Sequence, residues 1–169
     1  DLDRVEIGKS VLRGAQRIYR VAEKAEKLAA LKTRHFDFLF QNIDFAALVG
    51  KEIAACQSSP VAVPLTADKE AVFACVDSDE MAFVISALVN NAVKFTTDNS
   101  VKCDLSVVND TLIFSVENRF DGQTNPYNDI MASISQPFSS PAGVMHNAGD
   151  GMSLTIVSEI INAHGGTIE

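Results

Sequence analysis

The sequence predicts an α+β protein built as a layered sandwich, and three observations carry that expectation. A long stretch with helical apolar spacing comes first. Short segments of alternating hydrophobicity follow, two of them joined by the turn-forming pair Asn109-Asp110. Further apolar stretches of helical length stand among these strands without regular strand–helix–strand alternation, so helices and antiparallel strands share one layered core.

Residues from about Val5 to Lys32 read as one helix. Val11, Ile18, Val21, Ala25 and Leu28 recur at three-and-four spacing, and Arg17, Arg20, Glu23, Lys24, Glu26 and Lys27 take the opposite side. A second line of Leu12, Ala15, Tyr19, Ala22 and Ala29 widens the stripe, as a helix needs when it packs on two sides in a bundle. Lys32 to Phe40 is a linker in which Phe36, Phe38 and Phe40 alternate as a short strand would, and Asp44 caps a helix to about Ala55. Ser58-Ser59-Pro60 breaks the chain, after which Val61/Val63/Leu65 and Ala71 to Val76 read as strands. Asp77-Ser78-Asp79-Glu80 supplies the cap and first-turn acids of an apolar helix through Lys94. Val101 to Val108 and Thr111 to Glu117 form a hairpin. Residues 119–149 hold most of the Gly, Pro, Asn and Ser, with a helical patch at Asp129 to Ser133, and a loop of that length is expected to be functional. A last helix from Gly151 to Ala163 stops at Gly165-Gly166.

Length and charge narrow the function. The 169 residues suffice for one domain and an appended element. With 47% hydrophobic and 21% charged residues, the chain buries a core and is neither disordered nor collagen-like. Fourteen Lys+Arg against 22 Asp+Glu give a net charge of −8, which disfavours nucleic acid and anionic lipid as partners. Runs such as Val72 to Val76 are too short to span a bilayer, and a cytoplasmic location is expected. The chain starts at Asp1 and stops at Glu169 just after a strand start, and is expected to be a piece of a longer protein. Cys56, Cys75 and Cys103 are expected to be reduced thiols packed in the interior.

Two segments carry chemistry. In Leu88-Val89-Asn90-Asn91-Ala92-Val93-Lys94-Phe95-Thr96, Asn91 and Lys94 lie three apart and share a helix face. A carboxamide oxygen beside an ammonium suits a magnesium-bound polyphosphate, although in isolation a polar helix end, with Lys94 complementing the dipole and Asn91 solvated, is the better reading. In Gly149-Asp150-Gly151-Met152-Ser153-Leu154, small residues before a helix let the backbone N–H groups approach an anion.

Taken together, the chain resembles the ATP-binding catalytic domain of sensor histidine kinases, within the superfamily that includes gyrase, Hsp90 and MutL. Asn91 to Thr96 resembles that family's asparagine box, Ser135-Gln136-Pro137-Phe138 its phenylalanine box, Gly149 to Val157 its second glycine box, and His164-Gly165-Gly166-Thr167-Ile168 its tail. The resemblance implies a two-layer α/β sandwich with a mixed sheet, the Bergerat-type ATP-binding fold, over residues 41–169 with the final strands truncated. Residues 1–40 would be part of the dimerisation and phosphotransfer hairpin with its linker. It further implies Mg²⁺ on Asn91, phosphate on Lys94, the adenine amine on Asn118, phosphates along Gly149 and Gly151, and Phe138 anchoring a lid from Arg119 to Ala148. The resemblance also assigns Gly122, Met152, Ser153 and Leu154 to the same ATP site.

The chain departs from the pattern at four places. Ala87 stands four before Asn91, where the family often has a polar residue and gyrase- or Hsp90-type ATPases a catalytic Glu. Asn118 replaces an Asp, Phe120 a glycine, and Ser153 the last box's third glycine. No His followed by an acid occurs, so His35, His146 and His164 are not phospho-acceptors, and His164 reads as a helix C-cap partner. Two functions stay open. One is a kinase domain that uses Mg-ATP, passes the γ-phosphoryl to a His outside this sequence, pairs through its first helix as a homodimer, and feeds a response regulator receiver domain. The other is a degenerate module that keeps the fold for docking or relay without ATP.

Overall fold

The computed structural model describes residues 2–56, 61–119 and 151–169. Two compact units make up the chain, residues 1–36 with 129–159 and residues 37–128 with 160–169.

The first unit contains helix α1, Leu2–Lys32. At 1.5 Å per residue it is about 46 Å long. Its apolar stripe is exposed over most of that length: Val5, Ile7, Val11, Leu12, Ile18 and Tyr19 are all more than half accessible, whereas Leu28 and Leu31 near the end are buried. The helix stops in a Schellman turn, with His35 N–H donating to Ala30 O and Arg34 N–H to Leu31 O. Arg34 takes the left-handed conformation this turn requires, at φ 56°. Residues 153–159 of the last helix, α4 (Ser153–Ala163), also belong here, and Met152, Thr155, Ile156 and Val157 are buried.

The second unit holds strands β1 (Phe40–Asp44), β2 (Leu65–Ala67), β3 (Phe73–Asp77), β4 (Val101–Val108) and β5 (Thr111–Asn118), and helices α2 (Phe45–Cys56) and α3 (Ser78–Phe95). The strands form an antiparallel β1–β3 pair and a mixed sheet ordered β2–β4–β5, with β2 parallel and β5 antiparallel to β4. The mixed sheet and its covering helices are the α+β architecture expected. Asn109 and Asp110, at φ 49° and 60°, make the tight turn whose twist matches the hairpin. Alternation sets the buried face: Val101, Cys103 and Leu105 of β4 are almost fully covered, and Phe114, Val116 and Asn118 stand opposite them on β5. Helix α3 packs on β4 and β5 and against α2. Met81, Val84, Ile85, Val89 and Ala92 form its buried stripe, with Phe45, Val49 and Ile53 buried on α2, and Ser86 donates to Glu52 at 2.7 Å across the two helices. Each fully buried Ile or Val contributes about 1.5–3 kcal/mol.

Several boundaries differ from the sequence expectation, among them the starts of α1, at Leu2 rather than Val5, and of β3, at Phe73 rather than Ala71. Phe36 and Phe38 precede the strand rather than belonging to it, because pairing with β3 begins only at Phe40, opposite Asp77; the Phe38 and Phe40 rings both pack on His164, with centroids 5.2 and 4.8 Å away. Val61 and Val63 are buried in alternation, but the regular strand begins only at Leu65, after Pro64, which has no N–H to donate. Helix α4 starts at Ser153 because Gly151 is left-handed at φ 68°. The thiols are all free, but Cys75 is exposed on β3 rather than packed inside, whereas burial pushes the Cys103 thiol up to about 11. The expected helical patch at Asp129 to Ser133 lies outside the described residues.

Asp77 is the junction of this unit. Its carboxylate caps α3 by accepting from Asp79 N–H and Glu80 N–H at 3.1 Å, and its second oxygen accepts from Leu39 N–H at 2.8 Å. Its own N–H donates to His164 Nε2 at 3.0 Å. Burial pushes the carboxyl up, but the three N–H donors outweigh it and hold the pKa below the usual range. We expect Asp77→Ala to destabilise the protein by about 1–2 kcal/mol in urea unfolding at pH 7. A depressed folded pKa contributes stability above the unfolded value of about 4 and loses it as pH falls toward the folded value, so the gap between wild type and variant should narrow there.

Candidate functional site

The end of α3 carries the first candidates. Asn91 is half-buried and Lys94 exposed, three apart in an unbroken helix, so they share a face as the spacing required. Lys94 Nζ lies 5.1 Å from the Phe95 ring centroid. Ala87, one turn before Asn91, is half-buried.

Beyond the helix the chain is tied down by short-range bonds that sequence reading missed. Thr96 N–H donates to Ala92 O, and its hydroxyl lies 2.8 Å from Ser100 O and 2.9 Å from Asp98 Oδ1. The Thr96 hydroxyl, ahead of Ser100 N–H, holds the Asp98 carboxyl below its ordinary range. Thr97 N–H then donates to Arg119 O at 3.0 Å, with its hydroxyl on the same oxygen at 3.2 Å. This bridge brings the end of α3 and the end of β5 together, and Asn118 precedes Arg119. Asn118 pairs with Val101, which puts it on the sheet face shared with Val116, Cys103 and Leu105, half-buried on the side that α3 covers. The only legible signal was Thr-Thr-Asp after the helix, a capping pattern with no fixed partner.

In the first unit, Gly151 holds φ 68°, a conformation that costs a residue with Cβ about 1–2 kcal/mol. Met152 is fully buried and Leu154 half-buried. Ser153 opens α4, and its Oγ lies 2.8 Å from Lys24 Nζ. Gly122, Phe138, Gly149 and His146 lie outside the described residues, as does the expected lid after Arg119. A depression along α1, lined by Ala15, Gln16, Tyr19, Arg20 and Glu23, contains none of the candidates.

His164 does more than end a helix. Its Nε2 accepts the Asp77 N–H, so Nδ1 carries the proton and donates to Ile160 O at 2.8 Å. Gly166 N–H to Ile161 O and Gly165 N–H to Asn162 O complete a Schellman turn, with Gly165 at φ 74°. The His-Gly-Gly sequence is therefore a structural clasp on the start of α3. His35 is exposed beyond α1.

Comparison with known proteins places this arrangement. Residues 76–169 match the histidine kinase-, DNA gyrase B- and HSP90-like ATPases. The chain belongs to that family. Hybrid signal transduction histidine kinase D of Dictyostelium discoideum is 31% identical over 105 residues, which is 59% of this chain and 7% of that protein. Among solved structures, Acinetobacter baumannii histidine kinase AdeS matches with a TM-score of 0.74 at 22% identity, over 95% of this chain and 75% of that one. Full-length ShkA in complex with AMPPNP matches with a TM-score of 0.81 at 17% identity, over 96% and 34%. The chain thus spans a small part of the first relative, and the solved structures establish its fold as that of histidine kinases. The matched stretch begins one residue before Asp77 and includes Asn91, Lys94, Asn118 and the glycine segment.

The carboxamide oxygen of Asn91 is a hard donor of the kind that fits a magnesium ion. Among the described residues no three His, Cys, Asp or Glu side chains cluster to hold an ion alone. One carboxamide with phosphate oxygens and water is the kind of shell Mg²⁺ accepts. We expect Gly151→Ala to lower stability by about 1 kcal/mol in thermal unfolding, with the secondary structure by circular dichroism retained; an unchanged melting temperature contradicts the required left-handed turn.

Proposed function

We propose that this chain is the ATP-binding catalytic region of a two-component sensor histidine kinase, which transfers the γ-phosphoryl of Mg-ATP to a His outside this sequence for relay to a response regulator. The observation that carries the reading is the family match over residues 76–169, which holds Asn91 and Lys94 on one face of α3 and Asn118 on the sheet face beside it. The AMPPNP bound in the similar ShkA structure supports a nucleotide as the ligand here.

Bound Mg-ATP supplies the phosphoryl group and the cation that neutralises its charge. The chain supplies the positions. Asn91 offers a carboxamide oxygen to the metal and Lys94 an ammonium to phosphate oxygens. Asn118 accepts a hydrogen bond from the adenine amine through its carbonyl oxygen, a neutral bond weaker than a carboxylate would make. Gly149, Gly151, Met152, Ser153 and Leu154 present main-chain N–H groups at the start of α4 to the phosphates. Gly122 and Phe138 keep the nucleotide-binding and covering roles that the resemblance gives them. Catalysis in this scheme is positioning and charge stabilisation rather than covalent chemistry.

The exposed stripe of α1 supports homodimerisation through this helix, and a receiver domain is the proposed phosphoryl recipient. Among the described residues no helix is long and apolar enough to cross a membrane. A cytoplasmic location is part of the kinase reading proposed here. Residues 1–40 would form the partial dimerisation segment and linker, and 41–169 the catalytic domain. A second reading, a module that keeps the fold without using ATP, draws on Ala87 and Asn118, where neutral residues replace polar or charged ones.

Calorimetric titration separates the two. Wild type should bind Mg-ATP, Asn91→Ala should lose that binding while its circular dichroism stays native, and Asn118→Asp should bind more tightly. No binding by wild type at millimolar nucleotide favours the second reading, and undiminished binding by Asn91→Ala refutes the assigned metal ligand.

A further inference from the structure

At the end of β5 the backbone is pinned while one polar side chain is not. Asn118 is the last residue of the strand and lies opposite Val101 of β4. The residue after it, Arg119, accepts two hydrogen bonds on its carbonyl oxygen, from Thr97 N–H at 3.0 Å and from the Thr97 hydroxyl at 3.2 Å. The Asn118 side chain is half-buried on the sheet face that α3 covers, where Val101 and Cys103 are buried. Among the described residues none forms a hydrogen bond with its carboxamide.

A carboxamide carries an acceptor and a donor on one planar head, and half a turn about the Cβ–Cγ bond exchanges them. Among the described residues no polar partner selects between the two orientations at Asn118. Toward a 6-aminopurine, the carboxamide oxygen accepts from the 6-amino group while the NH2 group donates to ring N1. After the half turn, the NH2 group donates to a 6-oxo group and the oxygen accepts from N1–H. Both bases therefore receive two complementary bonds from one side chain. A carboxylate, the group the resemblance expects here, can only accept. It pairs with a 6-amino group, but in the same position it sets oxygen against a 6-oxo oxygen and leaves that acceptor unpaired.

We propose that Asn118 makes the base site tolerant of the 6-substituent, so that this chain binds 6-oxopurine as well as 6-aminopurine nucleoside triphosphates. This rests on the nucleotide reading given above and names the substrate class of that same site. Selectivity between two bases is a difference of affinities, and a repulsive group often supplies most of it. The neutral residue removes that repulsion. The contacts assigned to Asn91 and Lys94 go to metal and phosphate, which both nucleotides share. Asn118 thus weakens the hold on adenine and admits the second base class by one and the same change.

Displacement of a fluorescent nucleotide by Mg-ATP and by Mg-ITP, from wild type, Asn118→Asp and Asn118→Ala, tests this. Inosine differs from adenosine only at C6 and N1, the edge assigned to Asn118. Wild type should bind the two nucleotides within about fivefold of each other. Asn118→Asp should shift the preference toward Mg-ATP by about tenfold, and Asn118→Ala should weaken both nucleotides by a similar factor. Three results overturn the proposal while leaving the nucleotide site standing: a wild type that prefers Mg-ATP by more than about fivefold, an unchanged preference in Asn118→Asp, or undiminished binding of both nucleotides by Asn118→Ala. Circular dichroism checks each variant; if Asn118→Asp does not fold, the wild-type preference and Asn118→Ala decide. A wild type that binds neither nucleotide removes the nucleotide reading itself.

Discussion

The second unit depends on the hydrogen bonds gathered at Asp77. One carboxylate caps α3 through Asp79 and Glu80 and holds the backbone at Leu39 just before β1, while the Asp77 N–H is taken by His164 at the end of α4. Three stretches of chain, at residues 39, 77–80 and 164, meet within hydrogen-bond distance at this one residue, which ends β3 and precedes α3. A charge buried in this way is tolerated because three N–H dipoles solvate it in place of water. Without it, the first turn of α3 loses its cap and Leu39 N–H its partner, whereas the imidazole under the Phe38 and Phe40 rings is held separately, by the Asp77 backbone N–H and Ile160 O.

What Asp77 fixes at one end of α3 is delivered at the other. The helix runs unbroken to Phe95, its buried stripe setting its rotation about its own axis. With rotation and start both fixed, the face holding Asn91 and Lys94 has no freedom to turn away. The far end is closed by Thr96 on the turn to β4 and by Thr97 on Arg119 O, which aligns the last residues of β5 with the helix end. Hydrogen bonds at both ends and an apolar stripe between them make a rigid support, as a site that relies on positioning requires.

Much of this was legible in the sequence, for identifiable reasons. The caps at Asp44 and Asp77, the Asn109-Asp110 turn and the glycines after α4 are local devices whose residue types state their geometry, and the structure contains each of them. Asn91 and Lys94 share a face because helical spacing alone decides it. The contacts that were not legible are those between distant segments: His164 on Asp77, Thr97 on Arg119, Lys24 on Ser153. No periodicity carries information about them. The exposure of Cys75 was misjudged for a related reason, since strand alternation shows that Ala74 and Val76 share a side but not which side is covered.

The claim on which the account stands is that α3, fixed at Asp77, presents Asn91 to the metal of a bound nucleotide. Paramagnetic broadening in the backbone amide spectrum of the isotope-labelled chain, with Mn²⁺ in place of Mg²⁺ on ATP, reads the position of that metal directly. The account predicts selective broadening centred on Asn91 and the last turns of α3, falling away toward Asp77. Broadening centred on another element, such as the exposed length of α1, or a spectrum that loses no α3 signals at saturating nucleotide, would contradict it.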